Sequence, residues 1–259
     1  MRCSLLVVVV GGMVLSGSAP VGAGEPKTAD EIIAEYIEAV GGRARIDSVQ
    51  SLRMTGKNVH LGGEIAMMAV YQRPNKLRIE FINQGVTSIH AFDGEVAWSV
   101  NPFMGRPAPQ KLPPDQAKVV SQQADIDGPL IDYRKKGHQV ELLGKEEFKG
   151  SEVYQLKLTK KSGEVEYHYL DAERFLPVRI TGEHAFENLP GKYDVAYGDY
   201  RAVDGLLIAH KVEQGGSGAK NDIIYDKVEI NVKVPDDYFA LPPDAKDPLP
   251  TKAPPVPKP

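Results

Sequence analysis

The feature that most constrains the fold is a two-residue alternation of apolar and polar side chains that recurs from residue 51 to residue 233. Alternation of this period predicts β-strands with one apolar face. The runs are short, and Gly, Pro, Asn or Asp residues separate them, which is typical of hairpins. About ten to twelve strands are therefore predicted, in a large antiparallel sheet or barrel. They lie near residues 51–60, 63–73, 76–84, 86–93, 95–100, 139–148, 154–159, 164–169, 176–184, 192–200, 206–214 and 222–233.

A helix is predicted on the N-terminal side of the strands. Thr28 and Glu31 have the spacing of a capping box, in which each side chain bonds the backbone of the other residue. Apolar residues between Ile32 and Val40 then follow one helical stripe, and Gly41-Gly42 ends it. A short helical turn is expected to follow through Ile46.

Residues 98–136 separate the two blocks of strands and do not alternate. Five prolines between positions 102 and 114 predict a stiff loop that cannot join the sheet. Helices are predicted over 113–123 and 128–136. An insertion this long in a compact β domain is usually functional or disordered, and this one is too apolar to remain in water. Its large apolar residues are Trp98, Phe103, Met104, Val119, Val120, Leu130, Ile131 and Tyr133.

Residues 1–24 have the order of a secretory signal peptide. Arg2 precedes an apolar run, and small residues follow up to Ala23, near which cleavage is expected. The alternative is a transmembrane anchor, but Gly11-Gly12 interrupts the run, which is short for a span of about 20 residues. The only cysteine, Cys3, leaves with the signal, so the exported chain needs neither disulfides nor thiol chemistry.

The charge and composition of the chain limit the classes of partner that it can bind. The formal net charge of −4 becomes −5 once Arg2 is removed, and so mild an acidity argues against nucleic acid or anionic lipid head groups. No later segment is apolar enough to span a bilayer, so the exported chain is expected to be soluble beyond the inner membrane.

A monomer with one domain over residues 25–240 is expected. The tail, 241–259, has eight prolines and is expected to be disordered and polyproline-like.

The sequence contains no convincing catalytic set and no cofactor fingerprint. None of the six histidines belongs to a close metal-ligand pair, and no G-x-S-x-G, P-loop or dinucleotide motif occurs. Asp125 and Asp127 could be paired acids, but they fit turn and N-cap chemistry. Glu166 and His168 share a strand face and could supply two metal ligands, although a solvated polar face of the sheet is favoured.

Apolar surface is the remaining functional feature. A curved sheet of this many strands, if it is not fully closed, leaves a concave apolar face that the N-terminal helix and residues 98–136 could cover. Met54, Met67, Met68 and Met104 add side chains that adapt to irregular partners, although any one of them could simply be core. A movable cover over an apolar trough is how a β fold makes a site for a lipid-like ligand.

Seven stretches together resemble the outer-membrane lipoprotein-sorting proteins of the LolA/LolB-like superfamily of Gram-negative bacteria. They lie at residues 29–56, 71–80, 91–98, 101–105, 125–133, 169–179 and 199–211. The resemblance implies a mainly β periplasmic protein with a few helices. Its large curved antiparallel sheet would form an unclosed half-barrel whose concave face is covered by helices and loops. The resemblance implies no enzyme activity and no cofactor.

Members of the superfamily hold lipoprotein acyl chains or other lipids on the concave face. The resemblance therefore implies a carrier for outer-membrane lipoprotein sorting, with donor and acceptor proteins of the envelope as further partners. The residues predicted to bind lipid are Trp98, Phe103, Met104, Met54, Met67, Leu130, Ile131 and Tyr133. For Trp98, Phe103 and Met104 the alternative is that they only plug the end of the barrel.

Two other functions remain open at this stage. One is an interaction module, an envelope-stress or assembly factor that uses the same fold to bind a protein partner, with the tail docking as polyproline. The other is a periplasmic hydrolase, which would need a carboxylate of raised pKa inside the trough.

Overall fold

The computed structural model of the chain describes residues 27–184, 191–216 and 219–245. The predicted signal peptide lies outside these residues, as does the predicted tail beyond Ala245. Residues 241–245 are described and contain a turn in which the N–H of Ala245 donates to the carbonyl of Pro242 at 3.0 Å.

In the described part of the chain, thirteen strands form one antiparallel sheet, which confirms the predicted mainly β fold. The sheet order is β6-β5-β4-β3-β2-β1-β13-β12-β11-β10-β9-β8-β7. No pairing of described residues joins the edge strands β6 and β7, so the sheet is not closed into a barrel. The strands are β1 (Ser51–His60), β2 (Gly63–Gln72), β3 (Lys76–Asn83), β4 (Val86–Phe92), β5 (Ala97–Asn101), β6 (Arg106–Lys111), β7 (Gln139–Phe148), β8 (Ser151–Thr159), β9 (Val165–Asp171), β10 (Pro177–His184), β11 (Gly191–Val203), β12 (Leu206–Gly216) and β13 (Ala219–Ile230).

The described helices are α1 (Ala29–Ala39), α2 (Arg43–Ser48) and α3 (Pro114–Gln123), with a 3-10 turn at Pro102–Met104. The predicted capping box of α1 is confirmed. The hydroxyl of Thr28 accepts from the N–H of Glu31 at 3.3 Å, and the carboxylate of Glu31 accepts from the N–H of Thr28 at 2.7 Å. These two bonds satisfy donors that every helix start leaves unpaired.

The helix predicted over 128–136 is wrong, because this stretch forms a series of turns. Gly128 and Asp132 have positive φ values of 71° and 56°, a left-handed conformation that a right-handed helix cannot contain. The carboxylate of Asp132 is instead bonded to the guanidinium of Arg43 at 2.7 Å. The stretch keeps local main-chain bonds, such as that from the N–H of Lys136 to the carbonyl of Asp132 at 3.0 Å, but they form separate turns.

The expectation that the proline-rich loop cannot join the sheet is also wrong. Strand β6 pairs with β5, with Trp98 opposite Lys111 and Ser99 opposite Gln110. Pro107 and Pro109 carry no N–H, but an edge strand needs partners on one side only. The prolines therefore fit at the edge of the sheet, where the free side of the strand has no ladder to complete.

Strand register defines two faces of the sheet, because residues paired across neighbouring strands share a face. We call inner the face that packs against the helices. The inner row across β1–β5 contains Leu52, Tyr71, Leu77, Phe92 and Ala97. The outer row contains Arg53, Val70, Arg78, Ala91 and Trp98.

The C-terminal segment covers the outer face beside Trp98. The indole N–H of Trp98 donates to the main-chain carbonyl of Phe239 at 2.9 Å, and both side chains are 1% exposed. The guanidinium of Arg78 lies over the rings of Trp98 and Tyr238, 5.6 and 4.8 Å from their centroids. The apolar surface of Trp98 is thus buried by the protein's own C-terminal segment.

Helices α1 and α3 pack on the inner face at two different places. Ile32 and Ile33 of α1 lie in a cluster with Leu156, Leu158 and Leu170 of β8 and β9. Val120 and Ala124, at the end of α3, pack against Leu77, Phe92 and Ala97 of β3, β4 and β5. Polar contacts join α3 to the opposite half of the sheet, since Gln122 accepts from Lys160 at 3.0 Å and donates to Glu164 at 2.7 Å.

Glu166 and His168 do not lie on a solvated face, and that interpretation was wrong. Both side chains point inward and are 9% and 2% exposed. The carboxylate of Glu166 contacts the ammonium of Lys160 at 2.5 Å and accepts from the hydroxyl of Tyr193 at 2.6 Å. His168 Nε2 lies 3.1 Å from the same carboxylate, which only accepts, so Nε2 carries the proton.

A glycine makes room for this network. Gly182 of β10 lies between the strands of Glu166 and Tyr193 and pairs with both residues. A Cβ atom at this position would overlap the hydroxyl of Tyr193. The Tyr193 ring can therefore cross β10 to reach Glu166 only because position 182 has no side chain.

We predict that this network makes folding stability depend on acid pH. Burial alone would raise the pKa of Glu166, but the His168 hydrogen bond and the Lys160 charge outweigh burial and lower it from 4.5 to about 2. A depressed carboxylate pKa stabilises the fold at every pH above the ordinary pKa of 4.5. That contribution, about 3 kcal/mol, is lost as the pH falls from 4.5 towards 2. Urea unfolding should show the difference between wild type and Glu166→Gln shrinking by this amount over that range. The exposed Glu152→Gln is the control and should change stability little, whereas a pH-independent difference for Glu166→Gln would contradict the prediction.

A second prediction concerns the outer face. Phe239→Ala should destabilise the fold by about 3–5 kcal/mol, because it removes a fully buried ring. Since Trp98 is the only tryptophan, its emission should also shift to the red as water reaches it. The exposed Phe103→Ala should change neither quantity. Unchanged Trp98 emission in Phe239→Ala would show that the segment does not shield the indole.

Candidate functional site

An apolar cavity of about 410 Å³ lies between the inner face of the sheet and the helical layer. Its walls are strands from both halves of the sheet, helices α1 and α2, and the turns that follow α3. The apolar lining residues are Val40, Ile46, Val49, Leu52, Met54, Ile126, Pro129, Leu130, Ile131, Pro177, Ile180, Leu206, Leu207, Ile208, Ala209 and Val212.

Local periodicity places these side chains. Leu52 and Met54 are two positions apart on β1 and therefore face the same side of the sheet. Tyr36 and Val40 are four positions apart on the N-terminal helix and its C-cap, so they share one face. Gly41 allows the corner between α1 and α2 to approach the β11–β12 turn, because a Cβ there would overlap the carbonyl of Gly205.

Residues 124–137, here called the cover, close one side of the cavity and are held by ion pairs. The guanidinium of Arg73 binds both carboxylate oxygens of Asp127, at 2.7 and 2.5 Å, and also donates to the carbonyl of Val49 at 2.6 Å. The hydrogen bond with Asp127 raises the pKa of Arg73. One side chain in the turn after β2 thus fixes both the cover and the end of α2.

Further ion pairs also hold the cover. Lys136 pairs with Asp125 within it, at 2.5 Å, and Arg43 of α2 pairs with Asp132 at 2.7 Å. Arg134 of the cover pairs with Asp30 of α1 at 2.6 Å, but both side chains are more than half exposed. Exposed pairs contribute little because water screens them. The Arg73–Asp127 pair, with side chains 24% and 15% exposed, is the best shielded of those that join the cover to other elements.

Five tyrosines from different elements line the cavity: Tyr36, Tyr71, Tyr197, Tyr200 and Tyr225. Burial raises the pKa of all five, that of Tyr36 to about 12, so the hydroxyls are neutral at physiological pH. Tyr197 and Tyr200 both face the cavity although they are three positions apart. Asp199 between them has a φ of 50° and breaks the alternation of the strand.

The predicted site residues fall into three groups. Met54, Leu130 and Ile131 line the cavity. Met67 is buried beside Met54 in one cluster, and Tyr133 packs near α1 and donates its hydroxyl to Asp30 at 2.7 Å. Neither of these two lines the cavity.

Trp98, Phe103 and Met104 lie away from the cavity. Trp98 is on the outer face, as described above. Phe103 and Met104 lie in the turn between β5 and β6, where they are 56% and 72% exposed. Every second hairpin of an antiparallel meander turns at the same end, so this turn lies at the end of the sheet that also carries Leu61, Ile82 and Val86, all exposed apolar residues.

Most of the cavity wall was missed by sequence reasoning. The apolar residues of β10–β13 alternate in the sequence, and that signal identified the strands. It did not show which face of each strand meets the helices. Only the pairing of β1 with β13 brings these residues opposite Leu52 and Met54.

Neither a metal-ligand cluster nor a membrane-spanning helix is found among the described residues. Within ranges 27–184, 191–216 and 219–245, no group of three or more His, Cys, Asp or Glu side chains is arranged to hold a metal ion. The described helices include none that is long and apolar enough to cross a membrane.

Comparison with known proteins gives the fold. No protein-family profile matches the sequence, and no curated protein has a significantly similar sequence. Solved structures are similar. A LolA superfamily protein from Nitrosomonas europaea has a TM-score of 0.56 at 13% identity, covering 83% of this chain and 98% of that one. A domain assigned to outer membrane lipoprotein-sorting proteins, from Vibrio parahaemolyticus, has a TM-score of 0.53 at 12% identity, covering 82% and 97%.

A third structure agrees with these two. A DUF1329 family protein from Desulfovibrio piger has a TM-score of 0.54 at 12% identity, covering 82% of this chain and 96% of that one. Identities this low establish the fold and nothing more. The predicted resemblance is confirmed at that level: this chain has the fold of LolA superfamily proteins.

Proposed function

We propose that this protein is a non-enzymatic periplasmic carrier that holds acyl chains of lipoproteins or other lipids, for outer-membrane lipoprotein sorting. The observation that carries the proposal is the apolar cavity of about 410 Å³ between the sheet and the helical layer. Cavities of roughly 300–1,000 Å³ are typical of small-molecule sites. The predicted signal peptide would bring the chain to the periplasm, where such a cavity shields acyl chains from water.

The energetics favour an acyl chain over a polar ligand. Each buried methylene contributes about 0.8 kcal/mol, so a chain segment of several methylenes binds without any charged contact. Met54, Leu130 and Ile131 are the predicted residues that we propose touch the chain. Met67 packs beside Met54 in one cluster, and Met side chains adapt to chains of different shape.

On this proposal, lipid enters the cavity past the cover. It carries Leu130 and Ile131 into the cavity wall, and its best shielded link to the rest of the fold is the Arg73–Asp127 pair. We propose that lipid exchanges when this pair opens and the cover moves away from β2 and α2.

An interaction module that binds a protein partner remains the second candidate. The observation in its favour is the set of exposed apolar residues at the end of the sheet, including Leu61 and Phe103, because such clusters often mark interaction sites. On this alternative, filling the cavity would leave the cellular function intact, whereas on the carrier proposal it would abolish it.

The carrier proposal predicts that Ile180→Trp blocks lipid uptake. Ile180 lines the cavity on β10, and a larger ring there would occupy space that the acyl chain needs. We expect at least about a tenfold loss of affinity for a fluorescent fatty-acyl probe, equivalent to about 1.4 kcal/mol. Native mass spectrometry should also show lipid on the purified wild type and none on the variant.

The matched control is Thr181→Trp, which places the same ring on the outer face of the same strand and should bind the probe normally. Because Trp98 also lies on the outer face, its emission in the wild type should not change when lipid binds. A protein that carries no lipid and takes up no probe would contradict the proposal. So would normal binding by Ile180→Trp.

A further prediction concerns the cover. Asp127→Asn removes the charge that pairs with Arg73 and should make the cover open more readily. Hydrogen bonds to charged groups contribute about 1.5–3 kcal/mol, so release of a bound probe should be about tenfold faster or more in stopped-flow measurements. Asp199→Asn, which breaks the exposed pair with Arg201, is the control and should release the probe at the wild-type rate. Equal rates for the two variants would show that this pair does not limit exchange.

A further inference from the structure

The apolar cavity contains a group of hydroxyls that packing alone does not require. Tyr36 of α1, Tyr71 of β2, Tyr197 of β11 and Tyr225 of β13 all line it. The fifth tyrosine, Tyr200, donates its hydroxyl to the carbonyl of Pro177 at 2.6 Å. Among the residues that the structure describes, no hydrogen bond to the hydroxyl of any of the other four is found.

These four side chains come from distant parts of the sequence but meet in one place. Tyr71 and Tyr225 pack in the same apolar cluster, in which Tyr225 is only 7% exposed. Besides burial, Tyr71 and Tyr36 help to raise the pKa of Tyr197, and Tyr71 and Tyr197 help to raise that of Tyr225. The hydroxyls therefore form a polar patch inside an otherwise apolar cavity, which we call the tyrosine cluster (Tyr36, Tyr71, Tyr197 and Tyr225).

The four hydroxyls are accessible from the cavity, so only water or a ligand can bond them there. Phenylalanine would fill nearly the same space without a polar group, so four such hydroxyls in one cavity indicate a polar ligand group that they bind. Each neutral phenol can donate one hydrogen bond and accept others. A carbonyl oxygen, which only accepts, matches several converging hydroxyl donors.

The charges around the cluster argue against an anionic ligand group. Asp125 and Asp127 of the cover act on Tyr36, and Glu166 of β9 acts on Tyr197. The partners of these acids, Lys136, Arg73 and Lys160, do not line the cavity. His168 does line it, but it donates its Nε2 proton to Glu166. Asp125 and Asp127 line the cavity and Glu166 does not, so a carboxylate or phosphate placed among the hydroxyls would meet the two aspartates before their cationic partners.

We propose that the tyrosine cluster binds the uncharged carbonyl of an acyl ester or amide, while the attached hydrocarbon occupies the apolar remainder of the cavity. The proposal rests on the lipid-carrier function and specifies its ligand: an acylated molecule rather than a free fatty acid or a plain hydrocarbon. Ester-linked and amide-linked chains present the same acceptor, so both are included.

The test compares ligands of equal chain length in competition with a fluorescent acyl probe. We expect methyl palmitate and palmitamide to bind most tightly, hexadecane about tenfold more weakly, and palmitate at neutral pH more weakly still. Tyr197→Phe and Tyr225→Phe should each weaken the ester and the amide several-fold and leave the affinity for hexadecane unchanged. Tyr167→Phe, outside the cavity lining, is the control and should alter no affinity.

Thermal unfolding separates a binding role from a structural one. Tyr197→Phe and Tyr225→Phe should keep or raise the unfolding midpoint of the lipid-free protein, because their hydroxyls have no partner to lose. Tyr200→Phe should lower it, because it breaks the bond to Pro177.

The outcomes distinguish this inference from the function on which it rests. If the ester, the amide and hexadecane bind equally, or palmitate binds most tightly, the inference is overturned and the carrier function stands. It is also overturned if the Phe variants bind all the ligands as wild type does. If none of the ligands displaces the probe because the probe itself does not bind, the carrier function and the inference fall together.

Discussion

The pairing of β1 with β13 is the contact on which the rest of the molecule depends. Every other pair of neighbouring strands in the sheet is consecutive in the sequence, so β1–β6 and β7–β13 are two separate meanders without it. Two hydrogen bonds made by side chains hold one end of this pairing. Ser51 donates its hydroxyl to the carbonyl of Val232 at 2.7 Å, across 181 positions of sequence, and Asn231 accepts from the N–H of Gln50 at 2.7 Å.

The cavity exists only because the two meanders are joined. Leu52 and Met54 come from the first, and Ile180, Tyr197 and Val212 come from the second. Pairing β1 with β13 closes a loop that contains all the other strands. Closing so long a loop has an entropic cost that the pairing and its packing must offset. Binding would therefore report on the assembly of the whole sheet, and damage at the joint would remove the site even where every lining residue is intact.

The two faces of the sheet explain which parts of the site could be predicted. Strand periodicity located twelve of the thirteen strands, and capping chemistry located α1, since both signals are local. Strand β6 was missed because Pro107 and Pro109 exclude a central strand but not an edge. The buried state of Glu166 and His168 was missed because alternation separates two faces without saying which one is covered.

Trp98 illustrates the same limit of prediction from local sequence patterns. Its apolar surface and its place near a proline-rich stretch suggested contact with a ligand, but the register puts it on the face opposite Leu52 and Tyr71. What buries it is Phe239, from a segment that is remote in sequence and has no periodic pattern. Met54, Leu130 and Ile131 could be selected as apolar residues, but their convergence depends on long-range pairing that no local signal encodes.

The cover links stability to exchange. Leu130 and Ile131 are 4% and 3% exposed, and they belong to two different clusters, one built on α1 and the other on α2. Moving the cover would expose both side chains, at about 1.5–3 kcal/mol each, and would break the Arg73–Asp127 pair as well. An acyl chain that enters as the cover moves can restore part of the lost burial, so opening is less costly with lipid present than without it. On the proposed function, this difference keeps the cover in place when no lipid is present and lets it move when the cargo enters.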